Sequence, residues 1–130
     1  MVDYATLVLR THDVRAISSV AVKEGTAKKQ MYVVASSPQV RIAGNKIVSC
    51  HPLIYPYAVF HCHDVPATTV SVVPLVGEDG AKMDAIAVCH TDTRPWLPNH
   101  LAFQMTKVKP GTVPICHFVE QGGVVWAPRP

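Results

Sequence analysis

The chain has 130 residues, of which 48% are hydrophobic and 16% are charged, and its formal net charge at pH 7 is +3. This length and composition predict a single globular domain over residues 1–130 and are not typical of a disordered chain. The lysines and arginines are scattered, so we expect no nucleic-acid binding, which needs a concentrated basic face. No apolar run approaches the ~20 residues of a membrane span, and the first residues lack the basic start of a signal peptide.

The N-terminal segment has the spacing of an amphipathic helix. Apolar residues at Val2, Ala5 and Leu9 recur at helical intervals, which predicts a short helix over Val2–Leu9. From Arg15 onward the sequence changes to short runs rich in valine and isoleucine, which predict strands. The expected strands are 16–22, 30–35, 40–43, 46–50, 58–62, 69–76, 83–89, 113–119 and 124–127.

Turn residues separate these runs. We expect turns at 24–26, at 36–38 and at Gly44-Asn45, and a loop at PLIYPY, residues 52–57. GEDGAK, residues 77–82, and EQGG, residues 120–123, each predict a hairpin. Residues 101–108 fit a strand or a helical turn. The predicted fold class is mainly β with a short N-terminal helix (α+β), built from antiparallel strands and hairpins.

Every cysteine of the chain is followed directly by a histidine. The four dipeptides are Cys50-His51, Cys62-His63, Cys89-His90 and Cys116-His117. Adjacent residues on a strand point to opposite faces, so the two side chains of one dipeptide do not readily bind the same ion. This separates the chain from zinc ribbons and fingers, whose C-x-x-C turns direct both sulfurs at one ion. The pattern predicts that the cysteines cross-link the fold and that the histidines converge on a site.

Four cysteines can form two disulfides by three connectivities, and the sequence does not decide among them. Cys50–Cys62 with Cys89–Cys116 is the preferred pairing, because it requires only neighbouring strands. Four imidazoles without thiolates suit Cu²⁺, Zn²⁺ or Ni²⁺, and their matched positions favour a metal site over ordinary surface histidines.

Other residues near these dipeptides are secondary candidates. His61 and His100 are the remaining imidazoles that could bind the metal, although for each of them the interpretation as a surface residue is preferred. Asp64, Thr91 and Asp92 are close in sequence to the histidines and are candidate hydrogen-bond partners that would fix the imidazole tautomers. Trp126 is interpreted as a core or site-wall aromatic residue.

The spacing of the dipeptides resembles that of the plant BURP-domain family. The pattern is C-H-x10-C-H-x25-C-H-x25-C-H, with eight residues between the last histidine and Trp126. Five further stretches resemble the seed-protein and dehydration-responsive branches of this family: YPYAVFHCH, VPLVGEDG, AVCHTDT, HLAFQMTKVKPGTVPICHF and VVWAP. The resemblance covers nearly the whole chain and implies that residues 1–130 are the C-terminal part of a BURP domain, without its upstream part. Arg94-Pro95 departs from the small residues usual before Trp96.

Some members of this family are copper-dependent, dioxygen-using, autocatalytic peptide cyclases, which join a tyrosine or tryptophan side chain to a carbon of a core peptide. The resemblance implies that one or two Cu²⁺ ions are bound by His51, His63, His90 and His117. It likewise implies disulfides at Cys50, Cys62, Cys89 and Cys116. The sequence contains no core-peptide repeat, so the implied substrate is a peptide from an upstream region or from another chain.

The resemblance also leaves other functions open. One alternative is a non-catalytic extracellular, cell-wall or stress-responsive protein of the polygalacturonase-subunit kind. Another, less favoured, is a zinc-stabilised domain with reduced cysteines. Family resemblance implies the secretory pathway, the extracellular space or the vacuole as the location, and the missing upstream part of the domain as a possible partner.

Overall fold

The computed structural model describes residues 1–21, 30–36 and 39–130. The turn predicted at 24–26, the end of the strand predicted at 16–22, and residues 37–38 of the turn predicted at 36–38 lie outside the described residues. The two helices are α1 (Val2–Leu9) and α2 (Leu101–Thr106). The strands are β1 (Val14–Ile17), β2 (Val20–Ala21), β3 (Tyr32–Val34), β4 (Val40–Pro52), β5 (Phe60–Gly77), β6 (Lys82–His90), β7 (Ile115–Phe118) and β8 (Val124–Pro128).

Among the described residues, the eight strands form one antiparallel sheet in the order β1-β8-β4-β5-β6-β2. Strand β3 adds to β5, and β7 adds to β6. The mainly β fold with a short N-terminal helix is therefore confirmed. Helix α1 has the predicted bounds and ends at Arg10, which has a left-handed φ of 57°. No helix within the described ranges is long and apolar enough to cross a membrane.

The predicted break in the fourth strand is wrong. Gly44-Asn45 does not form a turn, because β4 continues through both residues and stays paired with β5. The register shifts twice along this pair, and the ladder skips Ile42 on β4 and Ala67 on β5. Each skipped residue is the extra residue of a β-bulge, and Ala67 has a positive φ of 50°. Bulges thus absorb local turn signals without ending the strands.

Strand β5 is also longer than predicted. Residues 60–62 of the expected strand 58–62 and all of the expected strand 69–76 belong to one strand that runs from Phe60 to Gly77. Pro66 lies in this strand next to the bulge at Ala67, which is a position where a residue without an N–H is tolerated. The hairpin predicted at 77–82 is confirmed, with Gly80 at a φ of 81° and its N–H donating to the Gly77 carbonyl.

The structure also decides the predictions for segment 101–108 and for the hairpin at 120–123. The ambiguous segment 101–108 forms helix α2, which begins after His100 and ends at Lys107, where φ is 56°. The hairpin predicted at 120–123 is wrong, because β7 pairs with β6 whereas β8 pairs with β1 and β4. Residues 119–123 instead connect β7, which lies beside β6, to β8, which lies between β1 and β4.

The sheet buries side chains on both faces. The main core cluster includes Ile47, Val70 and Val88, and the face that carries them is here called the inner face. The cluster draws residues from β1, β4, β5, β6 and β8, so the sheet curls around it. On the outer face, α1 inserts Ala5 against Val48, which lies beside Cys50 in the same buried cluster.

Candidate metal centre

The first histidine pair lies across β4 and β5. Ser49 is the register partner of His63, and His51 is the partner of His61, so these four side chains share the inner face. The Nε2 atoms of His51 and His63 are 3.0 Å apart. The intervening cysteines are also register partners, and they form the predicted Cys50–Cys62 disulfide on the outer face.

The second pair repeats this arrangement across β6 and β7. The Nε2 atoms of His90 and His117 are 3.1 Å apart, and His117 lies opposite Val88 on the inner face. Cys89 and Cys116 are register partners and form the second disulfide. The preferred connectivity and the separation of cysteines from histidines are confirmed. The zinc alternative with reduced cysteines is wrong, because all four cysteines are oxidised.

The bulge at Ala67 places both histidine pairs on the same face. Side chains alternate along a regular strand, so His63 and Thr68 would point to opposite faces of an unbroken β5. Thr68 is the register partner of His90. One extra residue at Ala67 reverses the alternation between these positions. His63 and His90 therefore both lie on the inner face, at the end of the core cluster.

Hydrogen bonds at Nδ1 fix the tautomers of three of these rings. His51 Nδ1 lies 2.6 Å from the Glu120 carboxylate, which only accepts, so this nitrogen carries the proton. His63 Nδ1 lies 3.3 Å from the Asp64 carbonyl oxygen, and His117 Nδ1 lies 3.1 Å from that of Phe118. When these rings are neutral, their Nε2 atoms carry lone pairs and are the atoms available to a metal.

The facing Nε2 atoms fit a shared cation. Two lone pairs 3.0 Å apart repel each other unless a proton or a metal ion lies between them. The Ser49 hydroxyl, 3.3 Å from His51 Nε2, can donate to one lone pair but not to both. With metal–nitrogen bonds of about 2.0–2.1 Å, nitrogens at this separation would subtend about 91–97° at an ion, close to the square-planar angle and below the tetrahedral one.

The two pairs are close enough to interact electrostatically. Burial lowers the pKa of His90, and the charges of His117 and His63 lower it further. Burial raises the pKa of Glu120, but the hydrogen bond from His51 and the charge of His117 leave this pKa below its ordinary value. Within residues 1–21, 30–36 and 39–130, however, no three His, Cys, Asp or Glu side chains are arranged so that they could hold one metal ion. The described site therefore consists of two separate imidazole pairs.

An apolar cavity opens beside the second pair. It has a volume of about 480 Å³, and its walls include His90, His117, Trp96, Met105 and Ile115. The Trp96 ring lies edge-on to His90, with ring centroids 5.1 Å apart. This volume is within the range of about 300–1,000 Å³ that is usual for small-ligand pockets. A bulky side chain of a ligand could enter it next to the imidazoles.

The predicted hydrogen-bond partners of the imidazoles are largely wrong. Asp64 contributes its backbone carbonyl and not its carboxylate. The Thr91 hydroxyl donates to the Ala67 carbonyl, and Asp92 accepts from the Arg94 guanidinium. Asp92 consequently has a pKa lowered to about 2, first by the side-chain hydrogen bond from Arg94. Among the described residues, the carboxylate of Glu120 contacts His51, and no local sequence signal indicated this contact.

The remaining candidates have different surroundings. His100 is the N-cap of α2, and its Nδ1 accepts a hydrogen bond from the Ala102 N–H. His61 is exposed, and its ring centroid lies 5.8 Å from that of His63. Trp126 packs in the outer-face cluster with α1, so its interpretation as a core residue is confirmed and that as a site wall is wrong.

Comparisons with known proteins agree with the spacing of the dipeptides. The model of the BURP domain matches residues 1–128. BURP domain-containing protein 5 of Oryza sativa subsp. japonica is 48% identical over 130 residues, which cover 99% of this chain and 40% of that protein. BURP domain protein RD22 of Arabidopsis thaliana is 48% identical over 126 residues, which cover 97% of this chain and 32% of that protein. Protein RAFTIN 1B of Triticum aestivum is 38% identical over 128 residues, which cover 98% of this chain and 35% of that protein. The chain thus spans about a third to two fifths of the length of these relatives.

Proposed function

The chain belongs to the BURP-domain family, and on this premise we propose that it binds copper through its two histidine pairs and promotes oxidative cross-linking of a peptide. The ligands are His51 with His63 and His90 with His117. The observation that carries this proposal is the approach of paired Nε2 atoms to 3.0 and 3.1 Å, with oxygen acceptors at three of the Nδ1 atoms. Imidazole nitrogens are suitable ligands for Cu²⁺.

The disulfides favour copper over a zinc site of the thiolate type. With Cys50 bonded to Cys62 and Cys89 to Cys116, the cysteines offer no thiolate to a metal. Each disulfide joins the two strands that carry one histidine pair, so it holds the register on which the Nε2 separation depends. The cysteines thus act on the site indirectly, by fixing the strands.

The proposed reaction is a two-electron oxidation. A hydrogen is lost from a tyrosine or tryptophan side chain of the peptide, another is lost from a carbon atom, and a bond forms between the two positions. Dioxygen accepts the two electrons and two protons and becomes hydrogen peroxide. When bound, copper supplies the one-electron redox steps and the reaction with dioxygen that no protein side chain supplies.

The cavity beside His90 and His117 is where we place the peptide. Its apolar walls, which include Trp96 and Met105, would exclude water and orient an aromatic side chain against the imidazole pair. Since the chain covers a minority of the length of its relatives, the peptide is proposed to come from a region upstream or from another chain.

Disulfide formation also bears on location. Structural disulfides form and persist in oxidising compartments such as the secretory pathway and the extracellular space. Both disulfides of this chain lie within the sheet that builds the site. We therefore place the protein in the secretory pathway or outside the cell.

The test is to incubate the copper-loaded chain with synthetic peptides that contain tyrosine and tryptophan, with and without dioxygen. We expect a product lighter by two hydrogen atoms, located by tandem mass spectrometry, only when copper and dioxygen are both present. The variant His90→Phe/His117→Phe should form no product. The control variant His12→Phe, which changes a histidine in the connection between α1 and β1, should still form it. Copper binding without any product would instead support the non-catalytic extracellular role.

A further inference from the structure

His61 lies beside both histidines of the first pair, and the Cys-His spacing does not reveal this position. It is the direct register partner of His51 across β4 and β5, and it precedes His63 by two residues on β5. Direct partners and residues two apart both share a face of a sheet. Three imidazoles, at positions 51, 61 and 63, therefore occupy adjacent positions on the inner face.

We propose that His61 is a third ligand of the metal ion held by His51 and His63, an inference that rests on the proposed copper binding. Directly opposed residues have Cβ atoms about 4.5–5.5 Å apart, and residues two apart on one strand are separated by about 6.6 Å. Imidazoles anchored at the corners of such a triangle can reach a common point above the sheet. A site of three histidines with an open position is a known form of catalytic metal centre.

To reach an ion held by His51 and His63, the His61 side chain would have to change its rotamer. With the side chains as they stand, no three ligands among the described residues converge on one point. The His61 ring is nevertheless exposed and already stacks near His63, with centroids 5.8 Å apart. Rotation of an exposed side chain between staggered positions costs little and leaves the backbone ladder unchanged. The ladder with His51 and the Cys50–Cys62 disulfide keep the three Cα atoms in place.

The second pair differs at the equivalent positions. His117 lies opposite Val88, and His90 lies opposite Ile115, and neither apolar side chain can bind a metal. The first pair is also supported by the Glu120 carboxylate at His51 Nδ1. We therefore expect two unequal sites, of which the three-histidine site binds copper more tightly and fills first.

The test compares His61→Phe with His12→Phe, which removes another exposed histidine, located between α1 and β1. Each full-length chain receives one equivalent of Cu²⁺, and nitrogen hyperfine coupling in electron paramagnetic resonance counts the bound imidazoles. We expect three in the wild type and in His12→Phe, and two in His61→Phe. Loss of a residue that merely supports a ligand typically costs about 10–100-fold in metal affinity, so loss of His61 should cost at least about tenfold, measured by chelator competition.

A second measurement uses the unmodified chain and does not depend on folding of a variant. Diethyl pyrocarbonate should modify the exposed His61 in the metal-free protein, and one equivalent of Cu²⁺ should protect it. Equal affinity and nitrogen count in His61→Phe and His12→Phe, or unprotected His61 in the copper-loaded protein, would overturn the assignment of His61 while leaving copper binding intact. A wild-type chain that binds no copper would overturn the proposed function itself, and His61 as a ligand with it.

Discussion

Removal of the Cys89–Cys116 disulfide should destabilise the domain by an amount set mainly by chain entropy. The two cysteines are separated by 27 residues. In the chain-entropy model a loop of that length contributes about 3.5 kcal/mol to the free energy of unfolding at 25 °C. Cys116 is exposed and Cys89 is only half-buried, so Cys89→Ala/Cys116→Ala removes little packing. We therefore expect a loss of about 3–4 kcal/mol from the cross-link alone.

The second disulfide provides a matched comparison. Cys50 and Cys62 are separated by 12 residues, for which the same model gives about 2.8 kcal/mol. Cys50 is fully buried, and it belongs to the cluster under α1 that contains Val48 and Ala5. Cys50→Ala/Cys62→Ala should therefore lose packing as well, which adds about 1 kcal/mol.

Equilibrium unfolding in guanidinium chloride, followed by far-ultraviolet circular dichroism, measures both losses. Strand β7 pairs with β6 over only four residues, so without Cys116 it should also exchange its amide hydrogens faster. Copper should then be lost from the pair His90–His117 and retained by the other pair. A loss of stability below about 1 kcal/mol for Cys89→Ala/Cys116→Ala, at unchanged m-value, would refute the entropic reasoning.

The remaining predictions concern charge at the site. Glu120→Gln removes the anionic acceptor at His51 Nδ1, so copper affinity in chelator competition should fall by about 10–100-fold; unchanged affinity would show that Glu120 does not support the ligand. The pKa of His90 is lowered from its ordinary value of 6.5 by burial and by His117 and His63. Below that value the unfolded chain takes up a proton more readily than the folded chain. The melting temperature of the metal-free protein should therefore drop as the pH falls below 6.5. In His90→Phe the melting temperature should depend less on pH. An equal dependence on pH in the wild type and in His90→Phe would contradict a lowered pKa of His90.

Local sequence signals predicted the elements well where local forces dominate. Apolar spacing gave helix Val2–Leu9 with its observed bounds, because one face of α1 packs on the sheet. The alternation of side chains on strands correctly separated the cysteines from the histidines. Gly44-Asn45 misled the prediction, since a turn signal competes with long-range pairing and here the ladder to β5 prevails.

Features that depend on residues far apart in sequence could not be predicted. Glu120 is 69 residues from His51, and the connection from β7 to β8 brings them together. The bulge at Ala67 has no glycine to signal a positive φ, yet it places His63 and His90 on one face. Such effects appear only once the register is known.

Mass spectrometry of the copper-loaded chain, recorded under native and denaturing conditions, tests the central claim most directly. The account predicts an intact mass four hydrogen atoms below that of the reduced chain, for two disulfides, and one or two specifically bound copper ions. Bound copper should decrease in His51→Phe/His63→Phe and in His90→Phe/His117→Phe. Free thiols, or a chain that binds no copper specifically, would contradict the account.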